Sequence, residues 1–299
     1  MPVDPIGSSQ LVSELRQRAR TVDLLVLAAV PIILVGVFLT PTTLRQRFLF
    51  EYTDPALPAA FISALVHLEG THLLVNVGTY GLVVPVVFVL ELLSGNRARF
   101  YRAFLVFVTL FPLVLSYSNV AAPRPAVGYG FSGVVMAFAG YLPLALAAFV
   151  ETRLDIGSRP SVAPVLFFPT LGLVCVLSLR SVISHNTTVL VGAVGLVVAT
   201  LLSTLLFAVS AYEEGAVSRH RLSRALDLGG YCELALVGLV LVATLPFVAF
   251  PAEPEFLGGT ANLYVHLFGY VLGFTAVYSY SEIQSRYSLE ASETGAYSH

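Results

Sequence analysis

The sequence predicts an all-α protein, a polytopic bundle of membrane-spanning helices, on three observations. The 299-residue chain is 57% hydrophobic and only 11% charged, whereas a soluble domain carries roughly a quarter charged residues. Its apolar residues gather into eight runs of about 20, the length that crosses a bilayer as a helix. These runs are continuous, where the strands of a barrel would alternate apolar with polar residues.

The first run covers Asp23 to Thr40. Thr40-Pro41-Thr42-Thr43 follows it in place of a small-residue cleavage site, so an anchor is expected and not a removed signal peptide. The next runs are Leu73 to Leu93, Phe100 to Tyr117, Ser132 to Val150, Val162 to Leu179, Val189 to Tyr212, Tyr231 to Phe250 and Ala261 to Tyr280. Only Val182 to Thr188 parts the fifth from the sixth. One transmembrane domain over residues 22–282 results, between a solvated amino-terminal segment (1–21), with a short surface helix over Ser13 to Arg20 as the alternative, and a carboxy-terminal tail (283–299). Ser288 to His299 is rich in Ser, Glu and Tyr without periodicity, the pattern of a disordered tail. Glu213 to Gly230 mixes acids and arginines and reads as a solvated connector, an amphipathic surface helix being the alternative.

Charge orients the bundle. All 16 basic residues are arginine. With the amino terminus inside, twelve fall on inner segments (Arg16, Arg18, Arg20, Arg97, Arg99, Arg102, Arg153, Arg159, Arg219, Arg221, Arg224 and Arg286) and four on outer ones (Arg45, Arg47, Arg124 and Arg180). That asymmetry fits the positive-inside rule and predicts a multi-pass protein of the cell membrane with both termini cytoplasmic. The net charge of −2 and the absence of a basic stripe argue against nucleic acid as a partner. Two cysteines make no disulfide framework, and Cys175 and Cys232 fall toward opposite faces.

Three fragments place polar side chains where hydrocarbon would penalise them by several kcal/mol unless they find partners. They are His67, His72 and Asn76; Gly130-Phe131-Ser132-Gly133; and His266 with Gly269 and Gly273. In the predicted topology His72, Asn76, Ser132 and His266 lie near the outer ends of three helices, at similar depth. Ser132 opens its helix between two glycines, beside first-turn N–H groups that lack intrahelical partners and can face an oxyanion. Gly269 and Gly273 share the face of His266, and Gly133, Ala137 and Gly140 form a matching stripe, so the fourth and eighth helices should pack closely enough to join the histidine to the serine. His72 and Asn76, four apart, share a face and can both donate hydrogen bonds. His67 falls toward the opposite face if the helix extends that far, and is expected to organise the loop or pack the site. No carboxylate accompanies Ser132 or His266, so the chemistry is that of a Ser-His dyad, with His266 as general base and then acid. A metal is not expected: the zinc motif H-E-x-x-H sets its histidines four apart, whereas His67 and His72 are five apart with Glu69 displaced. No other cofactor is implied.

The chain thereby resembles the rhomboid family of intramembrane serine proteases. The resemblance rests on H-x-x-x-x-H-x-x-x-N at His67, His72 and Asn76, on G-x-S-G at Gly130 to Gly133 with Val134-Val135-Met136-Ala137-Phe138-Ala139-Gly140-Tyr141 following, and on H-x-x-G-x-x-x-G from His266 to Gly273. It implies a rhomboid-like core and peptide-bond hydrolysis in single-pass transmembrane substrates, within membrane lipid. By position it makes Ser132 the nucleophile, His266 its base, and His72, Asn76 and the Ser132 backbone N–H the oxyanion hole. His67, Gly130, Gly133, Gly269 and Gly273 support the site. The chain departs from the family in three respects: three helices separate Ser132 from His266 where one is usual, no tryptophan is present, and Met136 stands where some members carry an aromatic residue. The competing readings are a non-catalytic rhomboid-like protein that binds membrane helices and, on the helix count alone, a transporter.

Overall fold

The computed structural model describes residues 5–121, 124–183, 187–215, 218–250 and 262–296. Among the described residues it is all-α except for one two-stranded ladder. Residues 184–186, between the fifth and sixth expected spans, and 297–299 at the end of the expected tail lie outside the described residues.

Among the described residues six helices are long and apolar enough to cross a membrane: α2 (Thr21–Phe38), α5 (Gly70–Leu93), α8 (Ser132–Leu154), α9 (Arg159–Ile183), α10 (Thr187–Glu213) and α12 (Tyr231–Ala249). This is the architecture of a multi-pass membrane protein. The expected Phe100 to Tyr117 span is broken into α6 (Arg97–Thr109) and α7 (Phe111–Ser118), bent by 45°, and counts as a seventh crossing if the pair is taken as one. Pro112 explains the break, since proline lacks the N–H and its ring collides with the carbonyl four residues back. The eighth expected span lies in α13 (Leu263–Ala296), which falls short of the six in apolar character because His266, Tyr264, Tyr270, Tyr278 and Tyr280 interrupt it.

The core is built around α8. Of its spanning window 94% is buried, against 11% for α10. Such a helix must be apolar all round, and its run from Val134 to Phe149 is broken only by small residues, Tyr141 and Pro143. It packs on α5, α9, α12 and α13. On α10 the outward face leaves Leu201, Leu202, Leu205 and Leu206 exposed, a surface suited to lipid chains.

The α8–α13 contact is made by backbone against backbone. A Cβ added at Gly140 would lie 1.9 Å from the Tyr270 carbonyl oxygen, at Gly269 2.2 Å from that of Gly133, and at Gly273 2.1 Å from that of Ala137. Residue numbers rise together along both helices, so the two run parallel, as the sequence requires. The glycine stripes pack these helices together as expected.

Two segments differ from expectation and a third takes its alternative form. The amino-terminal segment holds a helix, α1 (Pro5–Arg18), rather than a solvated coil; Leu11 and Leu15 face the core, and Glu14 binds Arg18, Arg153 and Tyr231. The connector takes the helical alternative, forming α11 (Arg219–Asp227), tied to Asp155 by Arg221 and Arg224. Helix α13 runs on to Ala296 where a disordered tail is expected from Ser288, because the segment holds no proline and no glycine before Gly295, and extending a helix is cheaper than starting one. Within α5, Glu91 is fully buried, and Arg99 grips its carboxylate through Nε and Nη2 at 2.8–3.2 Å.

Between α2 and α5 the chain forms a small cap with α3 (Thr42–Gln46), β1 (Phe50–Glu51), α4 (Leu57–Ile62) and a 3-10 turn (Ser63–Leu65). β1 pairs antiparallel with β2 (Val127–Gly128), Phe50 opposite Gly128, and Phe50, Tyr52, Ala59 and Ala60 make a second apolar cluster. This ladder fastens the loop that leads into Ser132.

Candidate active site

A cavity of about 430 Å³ opens among α5, α7, α8, α12 and α13, beside the cap. Ser132, His266, His72, Asn76, Gly130 and Gly133 all line it. Residues up to 194 positions apart in sequence are thus gathered on one wall system.

Ser132 is the first residue of α8, so its N–H belongs to the turn without intrahelical partners. Two contacts fix the approach to it: the β1–β2 ladder, and a hydrogen bond from the Gly130 N–H to the Ser63 carbonyl at 2.9 Å. Gly130 has φ +99°, a conformation open to glycine, and a Cβ there would come within 2.7 Å of His72 Cε1. Glycine at 130 therefore lets the chain turn sharply into the serine and lets the His72 ring lie against backbone.

On α5, Asn76 is buried and its Nδ2 donates to the His72 carbonyl at 3.1 Å. A carbonyl only accepts, so the amide nitrogen is identified by that bond. The same Nδ2 lies 3.0 Å from His67 Nε2, which therefore accepts, leaving the His67 proton on Nδ1. His67 precedes the helix, packs edge-on against His72 at 4.9 Å and stands behind Asn76. Arg45, itself buried, donates to the His67 carbonyl and to Thr42 Oγ1 and lies over the Phe38 ring. His67 thus lies on the Asn76 side and not on the opposite face, because α5 begins only at Gly70, and it supports the amide and the loop.

His266 sits one turn inside α13. Its Nδ1 is 2.8 Å from the Ala249 carbonyl at the end of α12. The acceptor again settles the tautomer: Nδ1 carries the proton and Nε2 keeps a lone pair. Among the described residues no hydrogen bond joins Ser132 to His266; active-site hydrogen bonds are commonly long until a substrate packs the site. Among the described residues no acidic side chain lines the cavity.

Sequence reasoning missed several members. Asn262 caps α13, its Oδ1 accepting from the Val265 N–H at 3.2 Å, while its Nδ2 donates to Tyr52 Oη at 2.9 Å and Asn119 Oδ1 at 2.8 Å. It thereby ties the His266 helix to the cap and to the end of α7. An Asn just before an apolar run was a readable capping signal. Tyr129 packs on the His72 ring at 5.6 Å, and Phe247, Val248 and Ala249 of α12 complete the wall.

The arrangement offers a serine hydroxyl, an imidazole with a free nitrogen, and nearby N–H donors in a mostly apolar hollow. These are the parts of nucleophilic acyl transfer. Comparison with known proteins finds no matching family model, no matching curated protein and no matching solved structure.

Proposed function

We propose that the chain is a rhomboid-like intramembrane serine endopeptidase that hydrolyses peptide bonds in single-pass transmembrane proteins. One observation carries the reading: a single cavity is lined by Ser132, His266, His72 and Asn76, with the His266 proton tied down at Nδ1 and Nε2 left free. Ser132 Oγ attacks the scissile carbonyl carbon and gives its proton to His266 Nε2. The oxygen of the tetrahedral adduct takes hydrogen bonds from His72, Asn76 and the Ser132 N–H. Collapse breaks the C–N bond, and the leaving amine receives the proton from His266. A water then repeats the cycle on the acyl ester, releasing the carboxylic acid and restoring the serine.

In this reading α6 with α7, and α13, complete eight crossings of the cell membrane. Both termini are cytoplasmic, and the site faces the opposite side, where a substrate helix can unwind from lipid. The full chain in lipid vesicles should cleave a transmembrane reporter, and undiminished cleavage by Ser132→Ala would falsify the assignment. The lack of a Ser132–His266 hydrogen bond favours a second reading, a helix-binding protein without catalysis. A fluorophosphonate that labels the wild type but not Ser132→Ala excludes that reading.

A further inference from the structure

We propose that the carboxy-terminal end of α12 is the third member of the Ser132–His266 pair, the Ala249 carbonyl fixing the imidazole tautomer and the Phe250 ring fixing its plane. The inference rests on the peptidase reading and concerns a helix that the sequence marks only as an insertion.

Ala249 is the last residue of α12, so its carbonyl is among those with no partner inside the helix. It accepts from His266 Nδ1 at 2.8 Å. The Phe250 N–H donates to the Pro246 carbonyl at 3.0 Å, closing the last turn and setting the direction of the Ala249 carbonyl. Phe250 is 1% exposed and meets the imidazole edge-on, with centroids 5.9 Å apart and planes at 86°. The ring is therefore held by a hydrogen bond at one nitrogen and by an aromatic wall, and Nε2 remains free. A helix carboxy terminus also carries negative partial charge, which stabilises the imidazolium formed when Ser132 gives up its proton. Among the described residues no carboxylate lines the cavity, and α12 supplies there both tasks that an aspartate performs in a catalytic triad, orientation and charge. Ala249 and Phe250 are positioning residues, acting through His266.

Two measurements on the full chain in lipid test this. In 15N-histidine NMR, with the His266 signals identified by their loss in His266→Gln, neutral His266 should show a protonated Nδ1 and a bare Nε2. A protonated Nε2 overturns the proposal whatever the activity. In reporter cleavage, Phe250→Leu keeps the apolar volume but removes the ring, and should lower kcat by about tenfold or more with KM unchanged. Phe250→Tyr, which keeps the ring, should retain kcat. An unchanged kcat in Phe250→Leu, or a loss confined to KM, overturns the assignment of Phe250, and a thermal melt separates either from misfolding. If Ser132→Ala still cleaves, the peptidase reading falls, while the NMR result still decides whether α12 orients His266.

Discussion

Gly273→Ala tests whether close approach of α8 and α13 brings the serine to the histidine. Gly273 lies seven residues beyond His266, about 10 Å along the helix, and does not line the cavity. Its added Cβ would stand 2.1 Å from the Ala137 carbonyl oxygen and 2.6 Å from the Ala137 Cα, where ordinary contact begins at 3.4 Å. Backbone cannot swing aside as a side chain can, so α13 must withdraw by about 1.3 Å, an overpacking that costs roughly 1–3 kcal/mol. A displacement of that size at the dyad lowers kcat on the order of a hundredfold. Gly192→Ala and Gly195→Ala on α10 are the controls, since a Cβ there meets nothing within 4 Å; each should leave the rate unchanged and stabilise by up to about 1 kcal/mol through helix propensity. Cleavage of a transmembrane reporter in vesicles and thermal melts give both quantities. Wild-type kcat in Gly273→Ala, with a melt lowered only by the packing cost, would refute the claim that the glycine stripe positions the dyad.

Gly130→Ala should abolish cleavage while leaving the melt within a few degrees of wild type, because it strains one loop at φ +99° and presses on His72 without touching the bundle core; a fully active variant sinks the role given to Gly130. Arg99→Met leaves the Glu91 carboxylate buried and unpaired, and should cost about 3–5 kcal/mol in thermal or denaturant unfolding; a melt unchanged from wild type would show that the pair is dispensable. Glu14 should make α1 docking acid-sensitive. Burial pushes its pKa up, but hydrogen bonds from Tyr231 and Arg153 and the charges of Arg153 and Arg18 outweigh this and hold it below the usual carboxylate value. A depressed folded pKa stabilises above the unfolded value of about 4.5 and loses that contribution as pH falls through the folded one. Proteolysis within α1 should therefore rise below about pH 4 in the wild type, and Glu14→Gln should be cleaved alike at neutral and acid pH.

What the sequence could reveal followed from periodicity. Apolar runs located six long apolar helices, and the three- and four-residue spacings of Gly133, Ala137, Gly140, His266, Gly269 and Gly273 identified the faces of α8 and α13 that meet. Ser132, His72 and Asn76 were legible because a polar group in hydrocarbon stands out. The missing parts lacked such a signature. Any residue at position 249 has a carbonyl, so nothing in Ala249 announces an acceptor for His266. Tyr52, Asn119 and Asn262 lie in irregular segments, where no period relates one position to another. The β1–β2 ladder is two residues long, below what alternation can detect. The Glu91–Arg99 pair, by contrast, was within reach: a carboxylate inside an apolar run needs a cation, and Arg99 follows across the turn at Gly95.

The hydrogen bonds of Asn76 bear on how the proposed oxyanion hole discriminates between ground and transition states. Both amide hydrogens are already engaged, one by His67 Nε2 and one by the His72 carbonyl. A substrate carbonyl entering the cavity can win one only by displacing a neutral acceptor of similar strength, so the exchange gains little in the ground state. As negative charge builds on the oxygen the balance changes, because a charge-assisted hydrogen bond is roughly twice as strong as a neutral one. Donation from Asn76 then becomes favourable only near the tetrahedral adduct. That is the condition for an interaction to raise kcat instead of tightening substrate binding. Removal of the amide by Asn76→Ala should accordingly appear in kcat, with KM little changed. The opposite split, a raised KM at unchanged kcat, would mean that Asn76 binds the substrate and not the adduct.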